Sequence, residues 1–147
     1  MTVSNYIKLE FPSKSVNESY ARSAVAAFAA QLDPTLEDLG DIRTAVSEAV
    51  TNAIVHAYPD DIGIIKMKLR IVDEDKLEIT VMDKGRGIPD LRQAMEPLYT
   101  TGGEERSGMG FTIMESFMDS LTLRSAPGRG TTVTMRRRIA LRAGSRL

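Results

Sequence analysis

Hydrophobic and polar positions alternate over 6–11, with Ile7, Leu9 and Phe11 on one side and Tyr6, Lys8 and Glu10 on the other. A period of two predicts a strand with one wet face. Pro12 ends it. Ser15-Val16-Asn17-Glu18 has capping-box spacing, so a helix is expected to start there, with Ala21, Ala24, Val25 and Phe28 as its apolar stripe, fading near Asp33-Pro34. A second stripe, Leu39, Ile42, Val46, Ala49, Val50, Ala53 and Ala57, predicts a helix over about 35–58, broken by Pro59-Asp60-Asp61.

Two further alternating runs follow. Ile65, Met67, Leu69 and Ile71 form one apolar face and Leu77, Ile79 and Val81 another, with the polar turn Asp73-Glu74-Asp75 between them. Phe111, Met114, Phe117 and Met118 predict a third helix. Leu121 and Leu123, the turn Pro127-Gly128-Arg129-Gly130, then Val133 and Met135 predict a closing hairpin. The stretch 97–110 is polar and Gly-rich and is expected to be mobile. Strands grouped in hairpins with helices between the groups predict an α+β sandwich: a mixed, mostly antiparallel sheet with helices on one face.

At 147 residues the chain is expected to form a single domain, 1–147. The absence of Cys excludes disulfides, thiolate zinc sites and Cys nucleophiles, and a lone His excludes multi-His metal sites. No apolar run is long enough for a membrane span and no signal-peptide pattern opens the chain, so a cytoplasmic protein without membrane contact is expected. The net charge of −1 is polarised. Residues 120–147 carry seven Arg and no acid, and all 20 acidic residues precede them. An Arg-rich end can keep a terminal strand soluble or bind anions; without interleaved aromatic residues it does not point to nucleic acid.

Four segments carry candidate chemistry. Glu48 and Asn52 stand at i, i+4 on the second helix, and His56 continues their stripe. An amide oxygen there can ligate Mg²⁺ and a carboxylate can take a proton; a hydrogen-bonded pair on a solvated helix face has the same spacing. Asp83-x-Gly85-x-Gly87 follows a strand. The carboxylate can accept from an exocyclic amine and the glycines let backbone approach a flat ligand, or simply turn. Gly108-Met109-Gly110 opens a helix whose N–H groups can hold phosphate, or serves as a hinge. Gly130-Thr131-Thr132 opens the last strand, where a Thr can donate to a base or only favour the strand. No P-loop and no H-R-D or D-F-G set is present.

In this order the four segments resemble the N, G1, G2 and terminal Thr boxes of the GHKL (Bergerat-type) ATP-binding fold. The stretches SEAVTNAIVHAY, ERSGMGFTIMESFMD and RGTTV, with ESYAR and AQLDPT near the N-terminus, look like those of the anti-sigma F factors, the serine kinases of sporulating bacteria. The resemblance runs to about Arg138. It implies that Asn52 binds the Mg²⁺ bridging the ATP phosphates and that Glu48 is the general base. It implies Asp83 on the adenine amino group with Gly85, Gly87 and Thr132 around the base. Gly108, Met109 and Gly110 would meet the phosphates, and Thr100, Thr101, Arg106 and Ser107 would belong to the lid over ATP or ADP. It also implies a homodimer, a sigma F-like sigma factor as inhibited partner, and an anti-anti-sigma protein as phosphate acceptor. Alternatives are a nucleotide-binding regulatory module without transfer, and an anti-sigma kinase acting on a stress-response sigma factor. A sensor histidine kinase is excluded because the lone His56 lies inside the ATP-box helix. Three features depart from the family pattern. Thr100-Thr101-Gly102-Gly103 replaces a TTK-type lid, in a segment one residue shorter. His56-Ala57-Tyr58 replaces His-Gly-Tyr, and the C-terminus is Arg-rich.

Overall fold

The structure, a computed structural model, describes residues 1–85 and 110–139. The elements run β1 (Val3–Pro12), α1 (Asn17–Ala29), α2 (Leu36–Asn52), β2 (Ile64–Val72), β3 (Lys76–Asp83), α3 (Gly110–Phe117), β4 (Ser120–Ala126) and β5 (Gly130–Arg138). The strands form one sheet in the order β1-β2-β3-β5-β4, and all four pairings are antiparallel. The α+β sandwich expected from the pattern is therefore present, with antiparallel pairing throughout rather than a mixture.

The two periods in the sequence meet in one core. Ile42, Val46, Ala49 and Val50 of α2 pack with Ile65, Met67 and Leu69 of β2, Leu77 and Ile79 of β3, and Met135 of β5, all nearly inaccessible to water. Each such side chain contributes about 1.5–3 kcal/mol of burial free energy. Among the described residues no helix covers the other sheet face, so its residues are polar at alternate positions. β1 lies at the sheet edge; Leu9 and Phe11 are half-buried against the core, while Tyr6 and Ile7 are exposed.

Three local expectations change. The capping box at Ser15–Glu18 does not form: α1 starts after Val16 with no side-chain cap. Glu18 instead accepts a hydrogen bond from the Ser47 hydroxyl of α2 and pairs with Arg22 at 3.1 Å, so tertiary partners outbid the local cap. A capping box forms at α2, where Thr35 Oγ1 accepts from the Asp38 amide (3.0 Å) and Asp38 Oδ2 from the Thr35 amide (2.9 Å). The second helix keeps α geometry only to Asn52; Ala53–Ala57 form a π turn. Tyr58, just beyond, donates its hydroxyl hydrogen to Ile64 O (2.9 Å) and accepts from the Lys84 amide (2.7 Å). These long-range bonds compete with a continued α-helix, and π turns of this kind recur at functional sites.

Arg137 fixes α3 against α2. Its guanidinium donates to Phe117 O at the C-terminal end of α3 (2.6 Å), and to Asp38 (2.9 Å) and Asp41 (3.0 Å) at the start of α2. A cation on terminal helix carbonyls also complements the helix dipole. The opposite end of α3 is thereby held beside the far end of α2.

Candidate nucleotide site

The far end of α2, the end of β3 and the start of α3 converge. Glu48, Asn52 and His56 are all half-buried along one side of α2 and its π turn. Gly110 opens α3 directly against Asn52: a Cβ at Gly110 would lie 2.8 Å from the Asn52 side-chain nitrogen and 3.2 Å from its oxygen. The structure thus brings together the amide singled out on α2 and the last glycine of Gly108-Met109-Gly110.

Asp83 ends β3 on the helix-facing side. Its Oδ1 accepts from the backbone amides of Gly85 (3.0 Å) and Thr131 (3.1 Å). Among the described residues no donor reaches Oδ2, so one oxygen is held in place and the other is left for a ligand. Burial pushes the Asp83 carboxyl above the ordinary aspartate range, and the two amide bonds hold back part of that rise. Close packing demands the flanking glycines. A Cβ at Gly85 would come within 2.3 Å of Ala57 O, and one at Gly130, where φ is +88°, within 2.1 Å of Asp83 O. Ala57 of the π turn therefore touches the Asp83 loop through Gly85, which is where the sequence departs from His-Gly-Tyr.

Of the two threonines, Thr131 and not Thr132 is the one beside Asp83. Thr132 pairs with Met82 and points to the open sheet face, away from Asp83. Thr131 pairs with Asp83, is buried, and exchanges a hydrogen bond with the Ser125 hydroxyl (2.8 Å). The sequence held the signal: Val133 and Met135 face the core, and a period of two carries that face to Thr131. Tyr58 packs against the core and also ties the site together. Its ring lies where a Gly63 Cβ would meet it at 2.2 Å, and its hydroxyl links β2 to Lys84. Gly87, Thr100, Thr101, Arg106, Ser107, Gly108 and Met109 lie outside the described residues.

The site is apt for a nucleotide: an acceptor carboxylate at the end of one strand, an amide at the end of a helix, and glycines where backbone must come close. Among the described residues no cluster of three or more His, Asp or Glu side chains could hold a metal by itself. One amide oxygen completed by phosphate oxygens and water suits Mg²⁺, which keeps several waters and is seldom caged by protein alone.

Comparisons with known proteins agree with this geometry. Residues 11–137 match the family described as Histidine kinase-like ATPase domain. A protein of Caldanaerobacter subterraneus named Anti-sigma F factor is 58% identical over 136 residues, 92% of this chain and 94% of that protein. One of Clostridium acetobutylicum, with the same name, is 51% identical over 138 residues, 93% and 96% of the two chains. Among solved structures, the RsbU and RsbW domains of a Mycobacterium tuberculosis protein align with TM-score 0.67 at 20% identity, covering 92% of this chain and 32% of that one. A histidine kinase domain from Erythrobacter litoralis aligns with TM-score 0.59 at 23% identity, covering 83% and 60%. These two structures speak for the fold alone. The sequence relatives extend the match over nearly the whole length of both partners, and the chain belongs to the anti-sigma F factor family, built on the histidine kinase-like ATPase domain.

Proposed function

We propose that this protein is an anti-sigma factor that holds a sigma factor of the sigma F kind and uses ATP to phosphorylate a serine of an anti-anti-sigma partner. The observation that carries the nucleotide reading is Asp83, half-buried, with both backbone donors on Oδ1 and Oδ2 left open. In this reading an adenine exocyclic amine donates to Oδ2, with Thr131 beside it and Gly85 allowing the flat base to approach. Asn52 would offer its side-chain oxygen to Mg²⁺, which would supply charge to offset that of the phosphates. Glu48, one helical turn before Asn52, takes the proton of the serine hydroxyl. The serine oxygen forms its bond to the γ-phosphorus as the bond from that phosphorus to the β–γ bridging oxygen breaks, leaving ADP. Gly108, Met109 and Gly110 would meet the phosphates, and Thr100, Thr101, Arg106 and Ser107 would form the lid, by resemblance to the family.

Family membership supports the rest. A homodimer fits the edge position of β1, where Val3, Tyr6 and Ile7 expose 40%, 61% and 41% of their surfaces beside backbone available to a second copy. A cytoplasmic location follows from a partnership with transcription factors; among the described residues no helix is long and apolar enough to cross a membrane. The test is sigma-factor affinity in ATP and in ADP with Mg²⁺. Tighter binding in ATP, with a smaller ratio in Arg106→Ala, supports the reading. Equal affinities in wild type would remove nucleotide control of the sigma factor.

A further inference from the structure

An open cleft of about 770 Å³ runs from the helix-free sheet face to Asp83. Its floor is apolar: Met82 of β3, Ile64 of β2 and Tyr58. Lys66, Lys84 and Arg129 line it, against two carboxylates, Glu10 and, at its inner end, Asp83. Lys66 and Glu10 are 3.7 Å apart with side chains 51% and 62% exposed, so their pair is weak. Lys84 and Arg129 are exposed, and among the described residues neither forms an ion pair.

The charge excess continues beyond the cleft. Lys8 and Lys68 are direct cross-strand neighbours on this face, a like-charge pairing that destabilises a sheet unless an anion sits over it. Arg124 stands beside Thr132 in the row that ends the cleft. Elsewhere on the face each cation has a carboxylate partner. Glu78 is held between Arg70 and Arg136, Lys76 pairs with Asp73, and Arg138 pairs with Asp75. Lys84 and Arg129, which lack such a partner among the described residues, stand at the cleft.

We propose that this cleft docks an acidic segment of a partner protein, with carboxylates on the cations and an apolar side chain on the Met82–Ile64 floor. The cleft meets the nucleotide site at Asp83 and Tyr58, and the proposal does not depend on the phosphoryl-transfer reading. Charge complementarity fixes the sign of the occupant, and the floor fixes its kind. Inorganic phosphate would leave the apolar floor uncovered. A single nucleic acid strand would seek aromatic platforms, and the one ring here has its hydroxyl tied to Ile64 and Lys84. Met82 adapts readily to a branched or aromatic side chain.

The test is fluorescence anisotropy with a labelled peptide of alternating Asp and Leu, on the full chain. The wild type is expected to bind it and to ignore the same peptide with Asn for Asp. Lys84→Glu combined with Arg129→Glu is expected to weaken binding by roughly tenfold or more, and Lys66→Ala by less. Arg43→Glu, an equal charge change on the exposed side of α2, is expected to leave affinity within about twofold. Unchanged affinity in the Lys84/Arg129 variant would overturn the proposal. So would equal competition by inorganic phosphate or by a single-stranded oligonucleotide of matched charge. A shift of that variant from dimer to monomer in sedimentation would also overturn it, assigning the face to a second copy of the chain.

Discussion

Gly110 stands so close to Asn52 that a single added methyl group would lie 2.8 Å from the amide nitrogen. The atom it would strike ends a side chain that can turn away, so the collision is relieved by moving Asn52 rather than by unfolding. Alanine is also favoured over glycine within a helix by about 0.5–1 kcal/mol. Gly110→Ala is therefore expected to keep the melting temperature within a few degrees and to weaken Mg-ATP binding by about tenfold, the loss of one good ligand. Calorimetric titration alongside thermal unfolding reads both. Unchanged affinity would detach Asn52 from the nucleotide.

Asp83→Asn separates fold from ligand in the same way. The Asn side-chain oxygen can still accept from the Gly85 and Thr131 amides, and the substitution removes a charge that burial disfavours. Stability is expected to stay level or rise by up to about 1 kcal/mol. The position of Oδ2 becomes an N–H₂ group facing the adenine amine, donor against donor. ATP affinity should fall by about 10- to 100-fold, the worth of a hydrogen bond to a charged group. Binding at wild-type strength would remove Asp83 from adenine recognition.

Glu78 predicts the acid limb of stability. It sits on the open sheet face, yet exposes only 3% of its surface because Arg70 (2.6 Å) and Arg136 (2.8 Å) lie over it from the flanking strands. Burial pushes its carboxyl up; the two guanidinium bonds and their charges more than offset this, so its folded pKa lies below the ordinary value of 4.5. A depressed folded pKa means the contribution is complete above the unfolded value and is lost as pH falls through the folded one. Glu78→Gln is expected to cost about 1–3 kcal/mol at pH 7. In unfolding series from pH 7 downward, the gap between wild type and variant should hold to about pH 5 and shrink below pH 4. A gap independent of pH would show that the ion triad is not its source.

Much of this fold was legible in its periodicity. The alternation over Ile65–Ile71 and Leu77–Val81 named the core faces of β2 and β3, and Asn52 and Gly110, singled out separately, meet in the structure. What escaped depends on partners distant in sequence. The Arg70–Glu78–Arg136 triad needs the order β2-β3-β5, which no local pattern specifies. The capping box expected at Ser15 gave way to the contact between Glu18 and Ser47, and the π turn after Asn52 answers to Tyr58 and its bonds to Ile64 and Lys84. Thr131 and Thr132 differ only in parity, and Val133 shows which of them faces Asp83 once β5 is paired with β3.

The function proposed above requires this chain to transfer a phosphoryl group to a serine with Glu48 as proton acceptor. Its most direct measurement follows label from γ-labelled ATP onto the anti-anti-sigma partner, for wild type and Glu48→Gln. The wild type is expected to label a serine. Glu48→Gln should bind Mg-ATP within a few-fold of wild type and lose about 10²–10⁴ in transfer rate, the range of a general base, or less where positioning dominates. Labelling by Glu48→Gln at the wild-type rate would contradict the role of Glu48, and no label on serine from the wild type would contradict the account as a whole.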